Sequence, residues 1–330
     1  MPERNWKIAA INFDHMHMGA LLDLCARHPR VEIAALCDPH PERMQEAAIK
    51  HGIGSDRLFT EVPACMEAVR PDMAILCPAT GKHAAYVEQV APHGAHLFVE
   101  KPFAANLADA DRMVAALQPG QKMVINWPLR WYPTHTTAFR LVQEGRIGEV
   151  IEVHHYGGNR GPFRHSPETL AFDPATRPRT DTWFYRKAEA GGSLNDYLGY
   201  GVTLGAWFNG GKVPLEVTAV TGGDPDLEVD EHSVTICRYA SGHLSKYETR
   251  WGTFTDPWRC APQPNCGFVL VGTDGTIASP DYADSLRAQT RERPKGETVP
   301  VTVPGFPERD PVEYFINCLE TGTEPEGPLS

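Results

Sequence analysis

No CxxC pair occurs in this chain: its eight cysteines are scattered, and Cys37, Cys77 and Cys237 sit inside apolar runs. That pattern argues against a zinc site or a disulfide framework and suits reduced thiols in a cytosolic protein. No block of Lys or Arg occurs, and the formal net charge of −11 argues against a nucleic-acid surface. No apolar run approaches membrane-spanning length. The opening MPERNWKIAAINF enters a strand directly, without the basic start, long apolar core and small-residue cleavage site of a secretory leader. The expected compartment is therefore the cytoplasm, with neither membrane nor nucleic acid as partner. Internal repeats and low-complexity segments are absent as well. Glycine is missing where a dinucleotide loop needs it. The first strand–helix turn reads Asn12-Phe13-Asp14-His15-Met16-His17-Met18-Gly19, and of GxGxxG only Gly19 remains.

What is present reads as two domains, as the length of 330 residues suggests. Apolar runs at Lys7–Phe13, Ile33–Cys37, Met73–Cys77, His96–Val99 and Met123–Asn126 predict strands. They alternate with helical patterns at Gly19–Arg27, Pro41–Lys50, Pro63–Val69, Lys82–Val90 and Leu107–Leu117. This alternation predicts a Rossmann-like, doubly wound parallel sheet over residues 1–127. Beyond Trp127 one helix, Thr134–Glu144, leads into strands at Val150–Tyr156, Glu216–Thr221, Ser233–Tyr239, Leu244–Trp251, Phe268–Val271 and Glu297–Thr302. Ala240-Ser241-Gly242 and Thr273-Asp274-Gly275 are the hairpin turns. Residues 128–330 are thus expected to form an α+β domain on a largely antiparallel, open-faced sheet, and the Pro/Gly-rich stretch from Gly157 to Pro178 a long loop of the kind that closes over a ligand.

Three side chains carry chemistry. Lys101 follows an apolar strand and lies between Glu100 and Pro102. Asp196 and Tyr200 lie four apart on one helical face. An ammonium that holds an oxygen and a phenol that gives or takes its proton are what reversible carbonyl–alcohol chemistry requires. A free phenol titrates near pH ~10, and a neighbouring ammonium stabilises the phenolate. The structural alternative is also open. Ser193-Leu194-Asn195-Asp196 fits a capping box, with Asp196 bonding back to the helix start, and Tyr200 fits a core tyrosine. Gly199, Gly201 and Gly205 each cost about 1 kcal/mol relative to alanine in a helix, so a strand or a nicotinamide ring must approach this one closely. Asp38 closes the second strand, where a carboxylate accepts adenosine ribose hydroxyls and repels a 2′-phosphate. This favours NAD over NADP, with Arg43 softening the preference. His15 and His17 alternate with no carboxylate or third ligand nearby in sequence, so no metal is expected. They are read instead as filling the space of the missing glycines, their N–H groups facing a pyrophosphate at the helix N-terminus.

In order and spacing, a set of short motifs resembles the Gfo/Idh/MocA oxidoreductases. The set comprises Cys37-Asp38-Pro39, Pro78 with His83, Gly94-Ala95-His96 through Glu100-Lys101-Pro102, and Arg130 with Pro133. It continues with Gly145 through Gly148-Glu149-Val150, Gly191-Gly192, Asp196, and Gly272-Thr273-Asp274-Gly275-Thr276. Tyr200 stands where that family usually has His, as in its branch with glucose–fructose oxidoreductase. Pro128 replaces a usual asparagine, for which Asn126 or Trp127 would have to compensate. The resemblance implies an NAD(P)-dependent enzyme that interconverts an alcohol and a carbonyl on a sugar, cyclitol or related diol, with Lys101, Asp196 and Tyr200 catalytic. It implies cofactor contacts from Asn12, Phe13, Asp14, His15, Met16, Asp38, Arg43, Cys77, Pro78, Ala79, His83, Glu100, Lys101, Trp127 and Arg130. Substrate-wall candidates are Asn159, Arg160, Arg164, His165, Trp183 and Tyr185, whose cations, amide and aromatics suit a polyhydroxylated ring or a small carboxylate. The resemblance further implies a homodimer or homotetramer through the open sheet face. It also implies another helix, returning to the first domain beyond a segment such as Thr321-Gly322-Thr323-Glu324-Pro325, and the sequence ends at Pro328-Leu329-Ser330, where such a helix would begin. Two alternatives stand beside it: NAD-dependent redox elimination that cleaves a glycoside, and a non-catalytic ligand sensor.

Overall fold

Neighbouring residues of the first strand point to opposite sides, and both sides are apolar. Ile8 and Ala10 face one cluster, with Met18, Leu22, Leu36 and Phe98. Ala9 and Ile11 face the other, with Cys65, Val87, Leu97 and Val99. A strand buried on both faces belongs to a parallel sheet covered by helices. The computed structural model describes residues 4–158, 162, 175–251 and 266–325. Its chain divides into two units, one of residues 1–127, 188–190 and 306–330, the other of residues 128–187 and 191–305.

The first unit runs β1 (Trp6–Ile11), α1 (His17–Arg27), β2 (Val31–Cys37), α2 (Gln45–His51), β3 (Leu58–Phe59), α3 (Val62–Val69), β4 (Met73–Leu76), α4 (His83–Val90), β5 (His96–Glu100), α5 (Leu107–Ala116) and β6 (Met123–Asn126). Its six strands lie in the order β3-β2-β1-β4-β5-β6 and all pair in parallel. The order reverses between β1 and β4. At such a switch point the carboxyl ends of the strands open a ligand crevice.

The second unit holds α6 (Pro133–Gln143), β7 (Val150–Gly158), α7 (Ser193–Phe208), β8 (Glu216–Gly222), β9 (His232–Arg238), β10 (Leu244–Arg250), β11 (Gly267–Gly272), β12 (Gly275–Pro280), β13 (Ser285–Thr290) and β14 (Glu297–Pro300). The strands form one sheet, β14-β13-β12-β11-β7-β10-β9-β8, in which only β7 and β10 run parallel. Strands β12 and β13 and the short β3 are additions to the sequence reading. Gly148 fits against Thr273 and Asp274, and Gly272 against the Ile147 carbonyl, so side chains at either would collide. The Gly145–Val150 and Gly272–Thr276 motifs are thus the two halves of one contact.

Helix α7 lies on one face of this sheet. A Cβ on Gly201 would meet His155 and Tyr247, 2.9 Å from each, and one on Gly205 would collide with the Tyr247 hydroxyl. The helix glycines therefore admit strand side chains from β7 and β10. On the opposite face Ile236, Lys246, His154, Val269 and Ala278 follow one another across five strands. Ile236, Leu244 and Val269 are exposed there.

The final helix, α8 (Pro311–Thr321), belongs to the first unit and buries Val312, Phe315 and Ile316 in the cluster beside α1. The first unit runs unbroken to Trp127 and takes up the chain again after Gly305. Asp310 Oδ1 caps α8 by accepting from the Val312 and Glu313 amides at 3.0 and 2.9 Å, and Pro311 opens it.

Candidate functional site

At the carboxyl ends of β1, β2, β4, β5 and β6 the first unit gathers most of the cofactor residues expected from sequence. Asn12 takes the glycine's place with φ 66°, the left-handed backbone that loop requires. The amides behind it are not turned outward. Phe13 N–H donates to Asp38 Oδ2 at 2.7 Å, and Asp14 N–H to Asn12 Oδ1 at 2.7 Å. His15 N–H donates to the Cys77 carbonyl at 3.0 Å, and His17 N–H to His15 Nδ1 at 3.2 Å. This corrects the expectation that the histidine amides face a pyrophosphate, because the Cys77 carbonyl has absorbed one and the His15 side chain the other.

Asp14 stands where close approach of a phosphate would need glycine, and its charge is compensated. Arg43 lies 2.5 Å from Oδ1, Lys82 lies 3.2 Å from Oδ2, and the Ala79 amide donates to Oδ2 at 3.1 Å. Burial raises its pKa, but the Ala79 amide and the two cations outweigh that and hold the carboxyl below its ordinary range. Asp38 is fully buried and accepts from the amides of Phe13 and His40. Arg43 lies 3.9 Å from it.

Glu100, also fully buried, accepts from His17 Nδ1 at 2.8 Å and from Asn126 Nδ2 at 2.7 Å. Burial raises its pKa too, yet His17, Lys101 and Asn126 together bring it below the usual carboxylate value. Lys101 comes next, buried at 8% exposure. His83 bridges the Pro78 and Phe103 carbonyls at 3.2 Å each, and so holds the segments that follow β4 and β5. Burial depresses its pKa. Cys77 is a buried thiol pushed upward by desolvation. Met16 is the residue from which α1 starts, and Trp127 ends the first stretch of chain in the unit.

One grouping was not legible from sequence spacing. His15, His17 and Glu100 place one donor atom each within 4.8 Å of one another. The carboxylate that the two histidines lacked in sequence is supplied in space by β5.

In the second unit Asp196 is buried on α7, and the Tyr200 ring meets the Tyr197 ring edge-on at 5.3 Å. The capping box does not form. Asp230 Oδ2 accepts from Ser193 Oγ at 2.7 Å and from the Leu194 amide at 2.9 Å, so a residue outside the helix caps it. Arg130 belongs to this unit, its guanidinium over the rings of Trp131 and Trp207 at 5.0 and 4.9 Å. Tyr132 and Tyr282 join hydroxyls at 2.7 Å, and burial holds the Tyr132 phenol well above its ordinary value. His135, fully buried, pairs with Asp281 at 2.8 Å, a relationship across 146 positions that no local pattern announces.

Of the expected substrate wall, Asn159, Arg160, Arg164 and His165 lie outside the described residues. Tyr185 is fully buried and donates its hydroxyl to Glu231 at 3.0 Å, and Trp183 stacks on Phe184 at 3.9 Å. Both are buried in the second unit.

The strand-end set fits a dinucleotide in part: Asn12 supplies the left-handed turn and Asp38 the acid at the end of β2, while the outward amide cradle is replaced by side chains. Among the described residues no helix is long and apolar enough to cross a membrane.

A family model described as "Oxidoreductase family, NAD-binding Rossmann fold" matches residues 10–126, and one for the "GFO/IDH/MocA C-terminal domain" matches residues 135–278. D-apiose dehydrogenase of Paraburkholderia graminis is 33% identical over 137 residues, which cover 41% of this chain and 35% of that protein. The enzyme of the same name from Rhizobium rhizogenes is 28% identical over 250 residues, 74% of this chain and 65% of its own. The matches thus span less than two thirds of these relatives. Aldose-aldose oxidoreductase from Caulobacter crescentus, solved with glycerol, shares the fold with a TM-score of 0.77. Its identity is 21%, over 98% of this chain and 92% of that one.

Proposed function

The chain belongs to the Gfo/Idh/MocA oxidoreductase family, and we propose on that footing that it is an NAD(P)-dependent dehydrogenase interconverting an alcohol and a carbonyl on a sugar, cyclitol or related cyclic polyol. Lys101 carries the reading. Its side chain is buried directly after β5, at the strand ends where a sheet of this order takes its ligands.

The nicotinamide, when bound, accepts or returns a hydride at C4. Residues that would hold the dinucleotide are the Asn12–Met16 loop, Asp38, Arg43, the Cys77–Ala79 turn and Glu100. Asp38 would meet the adenosine ribose through lone pairs that its backbone bonds leave over. This favours NAD, and NADP stays within reach of Arg43. Lys101 polarises the substrate oxygen. Tyr200 moves its proton, and Asp196 orients the phenol or a substrate hydroxyl. Relatives named as D-apiose dehydrogenases support a sugar-like substrate. The exposed Ile236, Leu244 and Val269 support assembly with a second copy across the open sheet, and the buried free thiols support a cytoplasmic setting.

The internally satisfied amides of the first loop favour a second reading, a ligand sensor that keeps the scaffold without turnover. A panel of sugars and polyols, followed by the absorbance of reduced nicotinamide with both cofactors, separates the two. Substrate-dependent reduction supports the dehydrogenase. Calorimetric binding of a sugar with no reduction of either cofactor supports the sensor.

A further inference from the structure

We propose that His15, His17 and Glu100 form a binding site for a divalent transition metal ion of the Zn²⁺, Fe²⁺ or Co²⁺ class. Two imidazoles and one carboxylate are the donor set such ions take, and three protein ligands leave coordination positions open for an exogenous oxygen. The donors come from two segments that the fold fixes independently, the turn into α1 and the end of β5, and their ligand atoms lie within 4.8 Å of one another.

The surroundings match a metal site beyond the ligands themselves. The Oε2 atom of Glu100 is held by Asn126 Nδ2 at 2.7 Å, which leaves Oε1 aimed at His17. An outer partner that orients a ligating carboxylate is a recurring feature of such sites. His15 is buried and its ring centroid lies 4.4 Å from that of His17. The His17 side chain, at 27% exposure, is the member through which an ion would enter. On a tetrahedral ion, donors stand about 3.4 Å apart, so closure asks for rotations that draw the set together by roughly 1 Å.

Against an ionised carboxylate the 2.8 Å contact places a proton on His17 Nδ1. An ion taking that nitrogen and Oε1 displaces the proton from Nδ1 while the neutral ring takes one up on Nε2, so no net proton is released and the cation occupies the place between the two groups. The turn carries two histidines within reach of one carboxylate, both of them ligand types. A hydrogen-bonded His–Glu pair alone would use only one of them.

The test uses the full chain and Co²⁺ alone, whose visible ligand-field bands report coordination. Wild-type protein freed of metal with chelator should bind about one equivalent and develop those bands. The variants His17→Ala and His15→Ala/His17→Ala should lose the bands, and Asn126→Ala should weaken binding about tenfold, as expected of an outer partner. Circular dichroism reports whether each variant is folded. Folded wild type that takes up no Co²⁺ overturns the proposal, whatever the variants do. Uptake that survives unchanged in folded His17→Ala overturns it equally. Because the readout is spectroscopic and cofactor-free, it is independent of whether the chain proves to be a dehydrogenase.

Discussion

Asn126 Nδ2 donates a 2.7 Å hydrogen bond to Glu100 Oε2, tying the paired ends of β6 and β5 beside Lys101. Glu100 is fully buried, so the bond offsets part of a large desolvation cost. Replacing Asn126 with Leu should lower stability by on the order of 2 kcal/mol, the cost of leaving a buried ionised acceptor short of a donor. Urea denaturation of wild type and variant measures it. An unchanged midpoint would mean that the carboxylate is solvated or protonated.

The last helix offers a sharper division of effects. Asp310→Ala removes the acceptor of two helix amides and should cost about 1 kcal/mol. Phe315→Ala empties a fully buried position against α1 and β5 and should cost about 3–5 kcal/mol. The ratio of the two, read from denaturation midpoints, tests whether α8 is integral to the core of the first unit. Similar small losses for both would place it outside.

The last helix carries its own signals in the sequence. Asp310-Pro311-Val312-Glu313 is a capping signature, and Val312, Phe315, Ile316 and Leu319 recur at helical spacing. The first unit was legible because Ile8-Ala9-Ala10-Ile11 and its counterparts are apolar on both faces, a pattern that only a covered parallel strand needs. The strand Ser285–Thr290 was not, since of its inward residues Leu286, Ala288 and Thr290 only Leu286 is strongly apolar, and it holds its place by pairing with β12 and β14. Lys101, Asp38 and Asn12 lie at strand ends as motif order implied. The meeting of His15 and His17 with Glu100 depends on how β1 and β5 sit in one sheet, and no spacing rule spans it.

Gly205 tests the helix–strand contact in the second unit. A methyl there would collide with the Tyr247 hydroxyl, so Gly205→Ala should destabilise by about 1–3 kcal/mol despite its better helix propensity. Removing the hydroxyl in Gly205→Ala/Tyr247→Phe should recover part of the loss. A double-mutant cycle read by thermal denaturation gives the interaction. Strict additivity would show that the two positions do not touch.

His155 gives the second unit a pH dependence. Burial, the largest influence, lowers its pKa to about 4, with Asp281 pulling it up and His135 pushing it down. An unfolded histidine titrates near ~6.5. Between those values the unfolded chain binds the extra proton, so stability is full above the unfolded value and is lost as pH falls toward about 4. The loss should be on the order of 3 kcal/mol. His28, His83 and His96 are lowered as well and add to the same slope, so the comparison that isolates this residue is wild type against His155→Gln. The variant's urea midpoint should fall less steeply over that range. An identical slope would show that His155 does not stay neutral in the folded protein.

The central claim is that the amine of residue 101 does the chemistry of a dehydrogenase. Its direct measurement is turnover of Lys101→Met beside wild type, on a substrate found in the polyol panel, with cofactor binding followed separately. The account predicts a fall in kcat on the order of 10³-fold with folding retained and dinucleotide affinity changed only a few-fold. Turnover at the wild-type rate in a folded Lys101→Met protein would contradict it.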